Sequence, residues 1–208
     1  PKRIGQLNRA SGQGSGNVVQ SFCMDDVNGY WYTLSAHESL GSFVNRFRAR
    51  SYVDRSALDK SAYMGGMLGH QGLSMEYRGT QGTDRLWTSM GYEPTAPSGY
   101  ENLTGNYALS FVYKAVASGS ISDYETWKVY DGDQPNGSTT PTISSDGRYL
   151  ITRIQQSDIY GDYRRIRIWE MRTVRAARAA GLFDISNMWI SEFKYYPYKI
   201  GVNNSSDN

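Results

Sequence analysis

Along most of the chain, apolar, β-branched and aromatic residues alternate with polar ones, and Gly, Asn, Asp or Pro clusters interrupt the pattern every eight to twelve residues or so. Alternation of period two buries one face of an extended strand, and runs this short leave little room for anything but tight turns between strands. The feature predicts an all-β fold. Strands are expected in "NVVQSFCMD", "YWYTLSA", "SFVNRFRARSY", "GLSMEYRG", "RLWTSMG", "NYALSFVYKAV", "ETWKVYD", "TPTISSD", "RYLITRIQQ", "RRIRIWEMRTV" and "NMWISEFKYY". A single short helix is expected in "VRAARAAGLF", stopping at Gly181.

Some of these strands repeat as units. "QSFCMDDVNGYWYTLS" from Gln20 and "QGLSMEYRGTQGTDRLWTSM" from Gln71 share the order glutamine, small residue, apolar residue, Cys or Ser, methionine, acid; a Gly-bearing turn and an aromatic-Thr strand follow. "PTISSDGRYLITRI" from Pro141 keeps only the order small, apolar, small, small, acid, turns at Asp146-Gly147 and leads into an aromatic strand with Thr152. Repeats of several short strands that bury their faces against the next repeat are the mark of propeller blades. The fold is therefore expected to be β-propeller-like, with three units visible and four or five filling the length; a β-sandwich or barrel is the alternative. Residues 1–17 read as an N-terminal segment, 18–199 as the β domain and 200–208 as a tail.

Composition narrows the function. With 22 Lys+Arg against 20 Asp+Glu, the net charge of +2 is too small for the broad positive field of general nucleic-acid binding. The single cysteine, Cys23, has no disulfide partner within the chain and no second thiol for a metal site. No run approaches eighteen apolar residues, and the N-terminus lacks the apolar stretch of a signal peptide, so neither a membrane span nor a leader is expected. Seventeen tyrosines and five tryptophans are a surplus that suits recognition surfaces and sugar stacking as well as sheet cores.

Certain residues stand out for chemistry. If the repeats are blades, their first strands line an axis, so Gln20, His70, Gln71 and the Pro141 position are expected to converge there. They offer hydrogen bonds to a ligand or to one another. Trp31, Trp87 and Tyr92 lie near hairpins, where an outward ring is a sugar platform and an inward one is core. Asp25, Asp26, Glu76 and Asp146 occupy matching places at strand ends. Their repetition argues for turn closure, whereas a glycosidase would use Asp25 or Asp26 with Glu76. "DGDQPNGSTT" opens like a calcium loop but has Thr142 at the twelfth position, so a plain loop is expected, with no metal and no cofactor. Arg172, Arg175 and Arg178 share one helical face, which reads as a solvated connector or as a contact for a phosphate-rich polymer.

"TISSDGRYLITR" resembles the Asp-Gly hairpins common in β-propellers. "VVQSFCMDDVNGYWYTLS" with "GHQGLSMEYRGTQGTDRLWTS" resembles the propeller platform of Gram-positive phage receptor-binding proteins and of helveticin J-class bacteriocins, over roughly Val18 to Lys199. The spacing here is less even than in that group, and no coiled or collagen-like stem is present. "SSDGRYLIT" also departs from the Asp box of sialidases, since glycine follows the aspartate directly and the tryptophan is missing. The resemblance implies a non-enzymatic virion domain, outside the host cell, that recognises a surface glycan or polymer beside other virion chains, as a homo-oligomer. A ligand-free assembly protein and a polysaccharide-degrading enzyme are the alternatives.

Overall fold

Alternating residues do form the strands, and which faces they bury decides how the sheets stack. The computed structural model describes residues 18–37, 41–48, 58–64, 69, 71–90, 105–113, 123–131, 139–158 and 161–197. Their strands fall in chain order into three four-stranded antiparallel meanders, none closed into a barrel. The first sheet is β1 (Val18–Asp25), β2 (Tyr30–His37), β3 (Gly41–Arg48) and β4 (Leu58–Tyr63). The second is β5 (Leu73–Glu76), β6 (Arg85–Ser89), β7 (Tyr107–Phe111) and β8 (Tyr124–Lys128). The third is β9 (Thr140–Ile143), β10 (Tyr149–Asp158), β11 (Gly161–Glu170) and β12 (Ser191–Tyr195), with helix α1 (Met171–Ala179) between β11 and β12.

The sheets stack face to face, and the middle one is covered on both sides. Leu73, Met75, Leu86, Leu109 and Phe111 pack on Tyr32, Leu34, Val44, Ala62 and Met64 of the first sheet. Their sequence neighbours Trp87 and Ala108 point the other way, and with Trp127 they pack on Ile143, Leu150, Ile154 and Trp169 of the third. This is why β5 is buried at every position while β1 alternates. β1 packs beside β5 and β5 beside β9, so the first strand of each sheet adjoins the first strand of the next. That arrangement fits the propeller-like blades expected from the repeat, and its face-to-face layers fit the sandwich alternative as well. The described residues make three blades, where the length alone allows four or five.

Tyrosines tie the blades together. Tyr113 and Tyr124 donate to the carbonyls of Lys60 (2.9 Å) and Met64 (2.8 Å), and Tyr77 Oη accepts from the Asp26 amide at 3.0 Å. Tyr130 Oη lies 3.0 Å from the carbonyls of Thr152 and Arg165. Each phenol buries its ring in the stack and satisfies a carbonyl or an amide at its rim, so part of the tyrosine surplus is structural.

Helix α1 starts directly after β11 with no side-chain cap at Glu170. It ends in a Schellman motif: Gly181, at φ +70°, donates to Arg178 O, and Leu182 donates to Ala177 O. Among the described residues no helix is long and apolar enough to cross a membrane.

Candidate functional site: a cleft where the inner strands meet

β1, β5 and β9 converge on an open cleft of about 430 Å³, lined by Gln20, Gln71, Thr140, Thr142, Ile151, Arg153 and Ile166. Strand pairing builds its broad wall. Register sets Thr140 opposite Arg153 and Thr142 opposite Ile151 across β9 and β10, and Ile166 follows Arg153 on β11. Period-two alternation therefore brings two hydroxyls, a guanidinium and two isoleucines onto one face. Gln20 sits at the bulge between Val19 and Ser21, which takes it out of the β1–β2 ladder and leaves it exposed.

Gln71 is held through its backbone. Its amide donates to Ser89 Oγ at 2.8 Å, and its carbonyl accepts from the Ser89 amide at 3.1 Å. The next residue, Gly72, has φ +74°, and its carbonyl accepts from Thr88 Oγ1 at 2.6 Å. A Cβ at Gly72 would lie 2.7 Å from Thr140 Cγ2. Only glycine lets β5 and β9 approach this closely. Gly72→Ala is expected to cost about 1–3 kcal/mol of stability from strain and overpacking, read by urea unfolding.

The cleft's chemistry is hydrogen bonding over an apolar floor. Two primary amides, two hydroxyls and a guanidinium supply donors and acceptors, and no carboxylate is among the described lining residues. Thr140 Oγ1 and Arg153 Nε are buried atoms without a protein partner. An unpaired buried polar atom costs about 1–3 kcal/mol, which a ligand able to pair with it relieves.

The other sequence candidates lie elsewhere. His70 and Tyr92 fall outside the described residues. Trp31 is half-buried on β2 between Met24 and Phe47 of the neighbouring strands. Trp87 is wholly inside the stack, where its indole nitrogen donates to Glu76 at 2.8 Å. Asp25 closes its own hairpin by accepting from the Asn28 amide at 2.9 Å, and Asp146 does the same with the Arg148 amide at 3.0 Å. Both acids perform the turn chemistry expected of them. Asp26 is exposed.

Glu76 departs from that scheme. Its hairpin is closed by Asp84, which accepts from the Arg78 amide at 2.7 Å, and the Glu76 carboxylate turns into the stack. With no exposed side-chain surface it accepts from Arg175 (3.1 Å), from Arg178 (3.0 and 2.9 Å) and from Trp87. Burial pushes its pKa up, but hydrogen bonds and charge from Arg178, with those from Trp87 and Arg175, more than reverse this and hold it below the ordinary value.

Arg178 also reaches Glu125 at 2.8 Å and lies over the rings of Trp87 and Trp127. The arginine face of α1 is thus no solvated connector along its length. Arg175 and Arg178 are struts between blades, and only Arg172, beside Glu170, stays largely in solvent. Cys23 is no free nucleophile either, since burial first and Asp25 second raise its thiol pKa to about 12.

Sequence reasoning found Gln20 and Gln71 but not Thr140, Thr142 or Arg153. The signal was the match of Pro141 to Gln71, which places the neighbouring threonines at the same axial level. No family model matches the chain. No curated protein matches it either.

Proposed function

We propose that the chain is a non-enzymatic recognition domain that binds a cell-surface glycan or polymer in the cleft between its inner strands. The observation that carries this reading is the lining itself: Gln20, Gln71, Thr140, Thr142 and Arg153 around an Ile151–Ile166 floor, with two buried polar atoms left unpaired by the protein. Sugar hydroxyls fit amides and threonines, and the guanidinium favours a carboxylate or phosphate substituent. Hydrolysis is not part of the proposal, because Glu76 is clamped between two arginines and Asp25 is bound to its own turn.

The hairpins' resemblance to phage receptor-binding propellers supports placing the domain on a virion, where many copies make weak single sites effective. The test is binding of the labelled chain to intact bacterial cells and to a glycan array, with reducing-sugar release followed in the same wells. Binding without release is expected. Arg153→Ala should weaken it about 10- to 100-fold and Gln71→Ala about 3- to 10-fold, the scales of charged and neutral hydrogen bonds. Unchanged binding in both variants would remove the cleft from the reading.

A further inference from the structure

The floor of the cleft does not end at its rim. Strand register sets Arg153, Ile166 and Phe193 in one row across β10, β11 and β12, and Gln155, Arg164 and Tyr195 in the next. Both rows lie on the cleft's side of the third sheet, because alternation sends Arg167 and Trp169 into the stack. From Arg153 to Phe193 the row crosses two strand spacings, about 10 Å, and Phe193 and Tyr195, two residues apart, stand about 7 Å from each other. β12 is exposed along its whole length and still carries these two rings, which are 48 and 42 % exposed and belong to neither core cluster.

The charges of this face point the same way. Among the described residues no carboxylate pairs with Arg153, whose Nε is buried without a protein partner, or with Arg164, which donates to the Tyr163 carbonyl at 3.5 Å. On the opposite face Arg165 and Arg167 share Glu192. The acids of the cleft's face stand at its two ends: Asp162 accepts from the Gln155 amide at 3.3 Å, and Glu170 from the Arg172 guanidinium at 2.6 Å. The middle of the face is left with two guanidiniums, isoleucines and two aromatic rings.

We infer that the ligand is a chain of several sugar or polyol units bearing acid groups, held at one end in the cleft and laid across β11 onto Phe193 and Tyr195. The inference rests on the cleft's being a glycan or polymer site, and adds the ligand's path and length. A single unit held by Gln71, Thr140 and Arg153 stops short of Phe193, and the units that follow it reach the rings. Aromatic faces pack on the C–H faces of such units, with Ile166 between cleft and rings, while Arg164 beside Tyr195 meets a second acid group.

The test is an array of uronate, glycerol-phosphate and neutral glucan chains, each from one to eight units, probed with the full chain and with Phe193→Ala, Tyr195→Ala and Arg153→Ala. One acidic series, whose identity names the acid, should bind about 10-fold more tightly or better as it lengthens from one unit to four. Phe193→Ala and Tyr195→Ala should each weaken the longer chains about 3- to 10-fold, the scale of one aromatic contact, and spare the single unit. Arg153→Ala should weaken every length. Near-UV circular dichroism checks folding, and Phe193→Leu and Tyr195→Leu, which keep an apolar side chain without the ring, replace a variant that fails it. Aromatic variants that hold long acidic chains as the wild type does, with Arg153→Ala still weakened, would overturn the inference and leave the cleft as the site. Affinity independent of length, or neutral chains bound as tightly as acidic ones, would do the same. Silence of the wild type on all three series would overturn the inference and the glycan reading together, and cell binding abolished by protease treatment of the cells would then assign the face to a protein partner.

Discussion

Replacing Arg178 by methionine is expected to lower the free energy of unfolding by about 3–5 kcal/mol, the cost of removing one partner from a buried ion pair. The size follows from what stays behind. Glu76 has no exposed surface and loses two of its charge-assisted hydrogen bonds, keeping Arg175 and the Trp87 indole, while Glu125 keeps Arg85 at 3.2 Å and Ser110 at 2.7 Å. Arg172→Met, at a side chain that is 84 % exposed, is the control and should change stability by no more than about 0.5 kcal/mol.

The effect carries a pH signature. Glu76 has a folded pKa held below its ordinary 4.5, so its contribution is complete above that value and is lost as the pH falls through the lower folded value. The wild-type and Arg178→Met stabilities should therefore converge on acidification below about pH 4.5. Urea titrations at a series of pH values measure this, and a gap that stays constant into strong acid would mean that the arginine acts by packing and not by charge.

Arg178 also marks where the sequence stopped being readable. Strand existence was legible because period-two burial is local: eleven of the twelve strands among the described residues coincide with runs that alternate. β4, "LDKSAY", was missed because an outer strand is held by its pairing to β3 and needs no apolar period of its own. The start of α1 was missed because β11 runs into it with no capping side chain, so "EMRTV" reads on as strand. The repeat gave the blades and placed Gln20 and Gln71 on one cleft. It also misassigned Glu76, since matching positions suggested matching turn chemistry.

What separates Glu76 from Asp25 and Asp146 lies about a hundred residues further on, in two arginines. Met171, Val174, Arg175 and Arg178 stand at the spacing of one helical face, and Met171 and Val174 are buried. The pattern that put arginine on an apolar stripe was present in the sequence. A basic stripe read alone says solvent; read with its apolar neighbours, it says that a buried acid waits opposite.

Trp127→Ala is the second large effect, about 3–5 kcal/mol, and its interest lies in how it combines with the first. Trp127 is fully buried between Trp87 (ring centroids 5.4 Å apart) and Phe183 (4.9 Å), with the Arg178 guanidinium 5.3 Å from its ring. Its indole nitrogen donates to Ser110 Oγ at 3.1 Å, but that hydroxyl keeps Glu125 and Arg85, so truncation orphans no polar group. The loss is therefore chiefly the cavity and the dispersion contacts around it. Because the guanidinium packs on the same ring, the Trp127→Ala/Arg178→Met double variant should lose less than the sum of the two singles, by about 0.5–3 kcal/mol. Urea unfolding of the four proteins gives that coupling. Additive losses would show that ion network and aromatic core hold the second and third blades together independently, and that the arginine acts through Glu76 and Glu125 and not through the ring.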